Sequence, residues 1–188
     1  MTVEAIKLSL KEKLKPTRFI HSEAVAETAA ALAALYGVSP QKAYLAGILH
    51  DCAKHMTKEE LYDSIKKYNI NLDEISLKMP QILHSFVGAY EARTLYGADD
   101  DEIFDAIYYH TIGKANMTGL TSIIYLADAI EPNRDYPGVE VLRKLSKENL
   151  NEAVFEYTKY SVKFILAKNK IIHPNAIEII NSHIIANC

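Results

Sequence analysis

Apolar residues recur every three to four positions along almost the whole chain, which is the spacing of amphipathic helices. No segment keeps the strict alternation of apolar and polar residues that a half-buried strand requires. We therefore predict helices throughout the chain, over residues 3–14, 17–36, 40–54, 57–68, 81–96, 99–113, 118–130, 139–145, 151–168 and 175–185.

Short signals at the helix ends support these boundaries. Ser39-Pro40 is typical of an N-cap followed by the first helical residue, and Thr57 with Glu60 has the spacing of a capping box. Gly37 follows a long Ala-rich segment and predicts its end. A polar linker at 69–78 and the loop EPNRDYPG separate the remaining helices. The sequence thus predicts an all-α fold, one compact helical bundle over residues 1–188.

Composition narrows the class of protein. The chain has 188 residues, 49% apolar and 24% charged, with a formal net charge of −3. These values are typical of a globular protein with a real core and exclude a disordered chain. The charge balance offers no basic excess to favour nucleic acid as a partner.

Cysteine usage and hydropathy bear on the compartment. Cys52 and Cys188 are the only two cysteines, too few for a disulfide framework. The longest apolar runs are too short to cross a bilayer, and the first residues do not have the pattern of a signal peptide. We therefore expect a cytoplasmic protein that does not bind membranes.

Five ionisable residues fall on helix faces that are otherwise apolar. His21 shares a face with Val25 and Leu32, and His50 lies over the small residues around Gly47. The set comprises His21, His50, His84, His110 and Asp128. One histidine on an apolar face is more often a satisfied core residue than a ligand, but five such groups on separate helices favour a shared site.

The chemistry of this set favours a metal. A buried carboxylate is expensive unless it is paired or coordinates an ion. Asp51, beside His50, and Asp128 together carry two negative charges that one divalent cation would neutralise. Imidazoles with carboxylates, and without thiolates, suit iron, manganese or similar ions with open positions for water and substrate.

These residues stand in a known order. His21, then His50-Asp51 in GILHDCAKH, then Asp128 in YLADAIEPNR, resemble the H…HD…D signature of the HD-domain superfamily of metal-dependent phosphohydrolases. His84, His110 and the segments EPNRDYPG and HPNA make the chain similar to the YqeK-like branch, the HD-type symmetrical bis(5′-nucleosyl)-tetraphosphatases. The resemblance covers nearly the whole chain and leaves no ligand missing.

The resemblance implies a role for each matching residue. His21, His50, Asp51 and Asp128 would bind a catalytic iron (Fe²⁺ or Fe³⁺), with Mn²⁺ or another divalent ion as the alternative. His84 and His110 would face the phosphates, or complete a second metal site bridged by Asp51. The implied substrate contacts are Arg18, Lys54, His84, His110, Thr111, Asp128, Arg134, His173, Pro174 and Asn175, the last three bordering the nucleoside. The spacing of Arg18, Lys54 and Arg134 from the metal ligands, taken alone, is no closer than chance would give.

The implied reaction is hydrolysis of diadenosine tetraphosphate to two ADP. A metal-bound water would attack an inner phosphorus, with Asp51 or Asp128 orienting the water and His84 or His110 assisting the departing ADP. One of the 12 tyrosines is a candidate for stacking on a base.

Other functions stay open at this point. The same ligands would serve a phosphohydrolase of nucleoside mono- or triphosphates, or a di-iron oxygenase of the same superfamily. A non-enzymatic metal- or nucleotide-binding module is a third alternative. The sequence leaves the metal, the preferred base and the oligomeric state open, a homodimer included.

Overall fold

The chain folds into helices joined by short connections, in a computed structural model that describes every residue from Met1 to Cys188. The helices are α1 (Val3–Lys13), α2 (Pro16–Leu35), α3 (Pro40–Leu49), α4 (Lys58–Lys67), α5 (Glu74–Leu77), α6 (Leu83–Thr94), α7 (Asp101–Tyr109), α8 (Gly119–Ile130), α9 (Val139–Glu148), α10 (Leu150–Ala167) and α11 (Pro174–Ala186). A 3₁₀ turn at Pro80–Ile82 leads into α6. There is no strand, so the predicted all-α class is confirmed.

Several helices begin at the residues that the sequence indicated. Ser39 accepts a hydrogen bond from the Lys42 amide at the start of α3. Thr57 and Glu60 form a complete capping box at the start of α4, because each side chain binds the backbone N–H of the other residue. These caps satisfy amides that the first helical turn leaves without partners.

Some predicted boundaries were wrong, mostly near histidines. Helix α3 ends at Leu49, and residues 50–55 continue in tight turns where the sequence predicted helix up to residue 54. Helix α7 ends at Tyr109 instead of near residue 113. In both places a histidine ring binds a carbonyl of the preceding turn, which competes with the backbone bond that would extend the helix. The predicted linker at 69–78 also contains α5, which Asp73 caps.

The main core lies between α2, α3, α7 and α8. It is one cluster of 31 buried apolar residues, rich in alanine along α2 and in isoleucine and leucine along α8. Gly47 makes the contact between α2 and α3 close: a Cβ atom there would lie 2.6 Å from the Ala26 Cα. A smaller cluster of 10 buried residues packs α4 against α6. No helix is both long and apolar enough to span a bilayer.

Candidate metal centre

Six ionisable side chains from five helices and their adjoining turns meet inside the bundle. They come from α2, the turn after α3, α6, the turn after α7, and α8: His21, His50, Asp51, His84, His110 and Asp128. His50 is fully buried and Asp51 is 2% exposed. A set of polar groups this deep requires mutual pairing or a bound ion.

The first group contains the four residues of the signature. His21 Nε2 lies 3.0 Å from Asp128 Oδ1, and 4.0 Å from Asp51 Oδ2. His50 Nε2 lies 3.5 Å from Asp51 Oδ2 and 3.9 Å from Asp128 Oδ1. The two imidazole nitrogens and the two carboxylates therefore face one small volume.

The second group lies on the other oxygen of Asp51. His84 Nε2 is 3.0 Å from Asp51 Oδ1, and His110 Nε2 is 3.7 Å from the same oxygen. The two Nε2 atoms are 3.3 Å apart. Asp51 thus stands between two sets of histidines, one facing each of its oxygens.

Hydrogen bonds behind the rings fix which nitrogen each histidine presents. His50 donates from Nδ1 to the Gly47 carbonyl at 2.7 Å, and His110 donates from Nδ1 to the Ile107 carbonyl at 2.7 Å. A carbonyl oxygen only accepts, so in the neutral ring Nδ1 carries the proton and Nε2 keeps its lone pair. His21 Nδ1 lies 3.1 Å from Glu131 Oε1, the arrangement that orients metal-binding histidines.

The arrangement fits a divalent cation. His21 Nε2 and His50 Nε2 are buried and have no hydrogen-bond partner of good geometry. Within each of three residue triads, the ligand atoms lie within 4.8 Å of one another: His21-His50-Asp51, His50-His110-Asp128 and Asp51-His84-His110. Nitrogen and carboxylate donors without thiolates are those preferred by iron, manganese and related ions.

Electrostatics keep the acids ionised. Burial by itself would raise the pKa of Asp51, but the facing rings of His50, His110 and His84 outweigh it and hold that pKa well below its ordinary value. His21, followed by the charges of His50 and Arg134, likewise lowers the pKa of Asp128 despite burial. Both carboxylates are therefore charged at neutral pH and available as ligands.

The histidines differ from one another. Burial lowers the pKa of His84 to about 4, more than Asp51 restores. Burial would also lower the pKa of His50, but the charges of Asp51 and Asp128 raise it overall. A neutral His84 keeps a lone pair for a metal ion, and its acid role stays a prediction.

Three basic side chains border the centre, at the positions that the resemblance assigned to substrate binding. Arg18 Nη1 is 2.8 Å from Asp51 Oδ2, and Arg134 Nη2 is 2.6 Å from Asp128 Oδ1. Lys54 Nζ is 3.1 Å from His84 Nε2. The three cations therefore converge on one rim, although each came from a separate segment of the sequence.

The remaining predicted substrate contacts are Thr111, next to His110 in the chain, and the segment His173–Asn175, whose Asn175 side chain donates to the Gly113 carbonyl. Thr111 shares a hydrogen bond with Ser85 at 2.9 Å. His173 is buried, with Nε2 3.0 Å from Ser76 Oγ and Nδ1 accepting from the Asn175 amide as the N-cap of α11. Both ring nitrogens of His173 are thus engaged within the protein. The exposed Pro174 and the partly buried Asn175 keep their substrate role only as a prediction.

Sequence reasoning missed two residues that hold the centre in place. Glu131 binds His21 and also accepts hydrogen bonds from the amide and side chain of Asn133 at 2.6 and 2.9 Å. Arg143 donates to the carbonyls of Ile130, Glu131 and Arg134, each at 2.8 Å. The available signal for Glu131 was its place one turn after Asp128, whereas nothing in the sequence distinguished Arg143.

Comparison with known proteins identifies the family. The family model described as "HD domain" matches residues 18–133, which include His21, His50, Asp51 and Asp128. The chain belongs to the HD-domain family.

Two bacterial relatives show which proteins of the HD-domain family this chain resembles in sequence. A protein of Halalkalibacterium halodurans named "Bis(5′-nucleosyl)-tetraphosphatase, symmetrical" is 40% identical over 92% of this chain and 91% of the relative. A Bacillus subtilis protein of the same name is 39% identical over 88% of this chain and 89% of the relative. Within the HD family, the chain groups with the proteins that carry this name.

A solved structure has the same fold. It comes from Clostridium acetobutylicum and is described as a predicted HD superfamily hydrolase involved in NAD metabolism. Its TM-score against this chain is 0.95, with 35% identity, covering 98% of this chain and 97% of the other. The predicted HD-type helical bundle is confirmed.

Proposed function

We propose that this protein is a metal-dependent phosphohydrolase that cleaves diadenosine tetraphosphate symmetrically to two ADP. The observation that carries the proposal is the position of Asp51, whose two oxygens face two groups of histidines while three basic side chains border the same centre. The names of the relatives supply the substrate class, a dinucleoside polyphosphate.

The metal would be held by His21, His50, Asp51 and Asp128. We propose iron, as one ion or as two, with Mn²⁺ or another divalent ion as the alternative. His84 and His110 with Asp51 would form the ligand set for a second ion. A divalent ion in such a site supplies Lewis acidity and lowers the pKa of water.

The side chains of the rim would position the phosphate chain. Arg18, Lys54 and Arg134 offer cations to the phosphate oxygens, and hydrolysis of this class depends largely on such positioning and charge stabilisation. Asp51 and Asp128, both ionised, can accept a hydrogen bond from the attacking water. His84 or His110 would assist the leaving ADP, and Lys54, the cation beside this pair, is a further candidate because burial lowers its pKa.

The test combines metal analysis with a nucleotide panel. The purified protein is assayed for bound metals, then for products from diadenosine tetraphosphate, nucleoside mono- and triphosphates and NAD, with and without oxygen. We expect ADP as the sole product of diadenosine tetraphosphate and equal rates with and without oxygen. Preference for a mononucleotide, or oxygen consumption coupled to turnover, would replace the proposal with another HD-family activity.

Two further predictions concern the cell and the assembly. Cys52 is buried and Cys188 exposed, and neither forms a disulfide, which agrees with a cytoplasmic location. A homodimer stays a prediction, and light scattering of the purified protein measures it.

A further inference from the structure

An aromatic cavity lies beside the metal centre and takes no part in the chemistry described so far. It has a volume of about 320 Å³ and is lined by Arg134, Tyr136, Tyr157, Tyr160, Ser161 and Phe164. The four residues from α10 are spaced i, i+3, i+4 and i+7, so one face of that helix forms a wall. Tyr136, from the loop after α8, stacks on Tyr160 and extends this aromatic wall.

Arg134 connects this cavity to the metal centre. Its guanidinium donates to Asp128 Oδ1 at 2.6 Å and to the Asp128 carbonyl at 2.7 Å, and the same side chain lines the cavity. Ala129, the residue after Asp128, also lines the cavity. A phosphate held at the centre would therefore have its next substituent within reach of the aromatic walls.

The walls offer flat apolar surfaces. Tyr136 and Tyr160 stack on each other with ring centroids 5.0 Å apart and an interplanar angle of 26°. Tyr136 donates its hydroxyl hydrogen bond to the Ala129 carbonyl, which fixes the ring at the edge of the cavity. Phe164 lines the same cavity and is 54% exposed at its rim.

We propose that this cavity binds one nucleobase of the substrate, with the base against the aromatic rings of α10 and Arg134 spanning from the base to the phosphates. The inference rests on the proposed function, because that function supplies a substrate in which a base is tied to a phosphate chain. Aromatic rings stack on any base, and a purine offers them the larger contact area.

Comparison of ADP with pyrophosphate tests the subsite directly. Both ligands carry two phosphates, but only ADP has a base, and calorimetry on the metal-loaded protein gives both dissociation constants. In the Tyr160→Leu variant we expect the Kd of ADP to rise about tenfold and that of pyrophosphate to change by less than about twofold, because only stacking is lost. Tyr160→Phe keeps the ring and should bind ADP as the wild type does.

A second variant tests the same subsite at an exposed position, where substitution is not expected to disturb folding. Phe164→Ala removes an exposed side chain and should also weaken ADP alone, whereas Leu166→Ala, an equally exposed apolar residue of α10 outside the cavity, should change neither ligand. Wild-type ADP affinity in both Tyr160→Leu and Phe164→Ala, or equal weakening of ADP and pyrophosphate, overturns the subsite.

The two proposals fail in different ways. If the wild type binds ADP more tightly than pyrophosphate through Tyr160 but leaves diadenosine tetraphosphate intact, the base subsite stands and the proposed reaction is wrong. If the wild type forms ADP from that substrate and the cavity variants bind ADP normally, the reaction stands and the subsite is wrong.

Discussion

His50 and His110 end their helices in the same way and point at the same carboxylate. Each ring follows the last residue of its helix and donates from Nδ1 to the carbonyl three residues earlier, at 2.7 Å. The rings are 4.9 Å apart and nearly perpendicular, and their Nε2 atoms face different oxygens of Asp51. Two helix ends thus place two imidazole Nε2 atoms near one carboxylate, where a cation could bind all three groups, without any flexible connection.

Removal of the central pair should abolish activity without unfolding the bundle. We expect His50→Ala and Asp51→Ala each to lower the rate of ADP release by about a thousandfold or more, since both would remove metal ligands. Circular dichroism should still report a helical protein. Full activity in either variant would contradict the assignment of the metal centre.

Glu131→Gln should weaken metal binding through His21. The substitution removes the charge that polarises the ring and sets an amide group against the donors of Asn133. We expect metal affinity to fall roughly 10- to 100-fold, the usual effect of losing such a partner. Metal content after dialysis against a graded chelator series measures it. Glu148→Gln, at the exposed last residue of α9, is the matched control, and an equal loss there would remove the special role of Glu131.

Gly47→Ala should push α3 away from α2. The added methyl group would lie 2.6 Å from the Ala26 Cα, a contact that only backbone movement relieves. We expect a loss of about 1–3 kcal/mol in the free energy of unfolding, the typical cost of overpacking, together with lower activity because His50 ends α3.

Gly88→Ala is the control for this change. There the new Cβ would meet the Cys52 Sγ at 3.5 Å, an ordinary contact in a helix that favours alanine. Urea unfolding of both variants gives the comparison. Equal stability of Gly47→Ala and the wild type would show that the two helices have room to separate.

The stability of the metal-free protein should fall on acidification because of His84. Its pKa is about 4 when folded and 6.5 by default, so between these values the unfolded chain binds a proton that the folded chain does not. Unfolding free energy should therefore rise with pH over this window, by at most about 1.4 kcal/mol per pH unit. The pKa of His50 is raised, so above pH 6.5 the folded chain keeps a proton that the unfolded chain loses. His50 therefore makes the free energy of unfolding fall with rising pH in that range.

Urea unfolding of the chelator-treated protein at pH 5 and pH 6.5 measures this slope. His84→Asn removes the titrating group, and its slope should be smaller than that of the wild type. Identical slopes in the two proteins would place the proton uptake elsewhere.

The fold class, several helix starts and the family could be predicted from the order of residues. Helical periodicity predicted the all-α class, because a 3.6-residue repeat leaves few alternatives for a chain with so few breaks. Capping residues such as Ser39 and Thr57 marked helix starts through bonds that form within one turn. The HD pair and its distant partners indicated the family, because their order along the chain carries that resemblance.

Local signals failed where a side chain of the site ended a helix. The competing bonds of His50 and His110 to the preceding turn shortened α3 and α7, and no propensity scale contains a bond that a buried ring makes to its own helix.

The sequence by itself determined the all-α class, most of the helices and the ionisable residues on or near their inner faces, because those depend on neighbours within a few positions. Only the tertiary structure decided that Asp51 stands between two sets of histidines, that Glu131 orients His21 across 110 residues of chain, and that α10 brings its tyrosines next to Arg134. These relationships depend on how helices pack through Gly47 and the buried core. Such packing is set by the shape of many side chains at once and has no local signature.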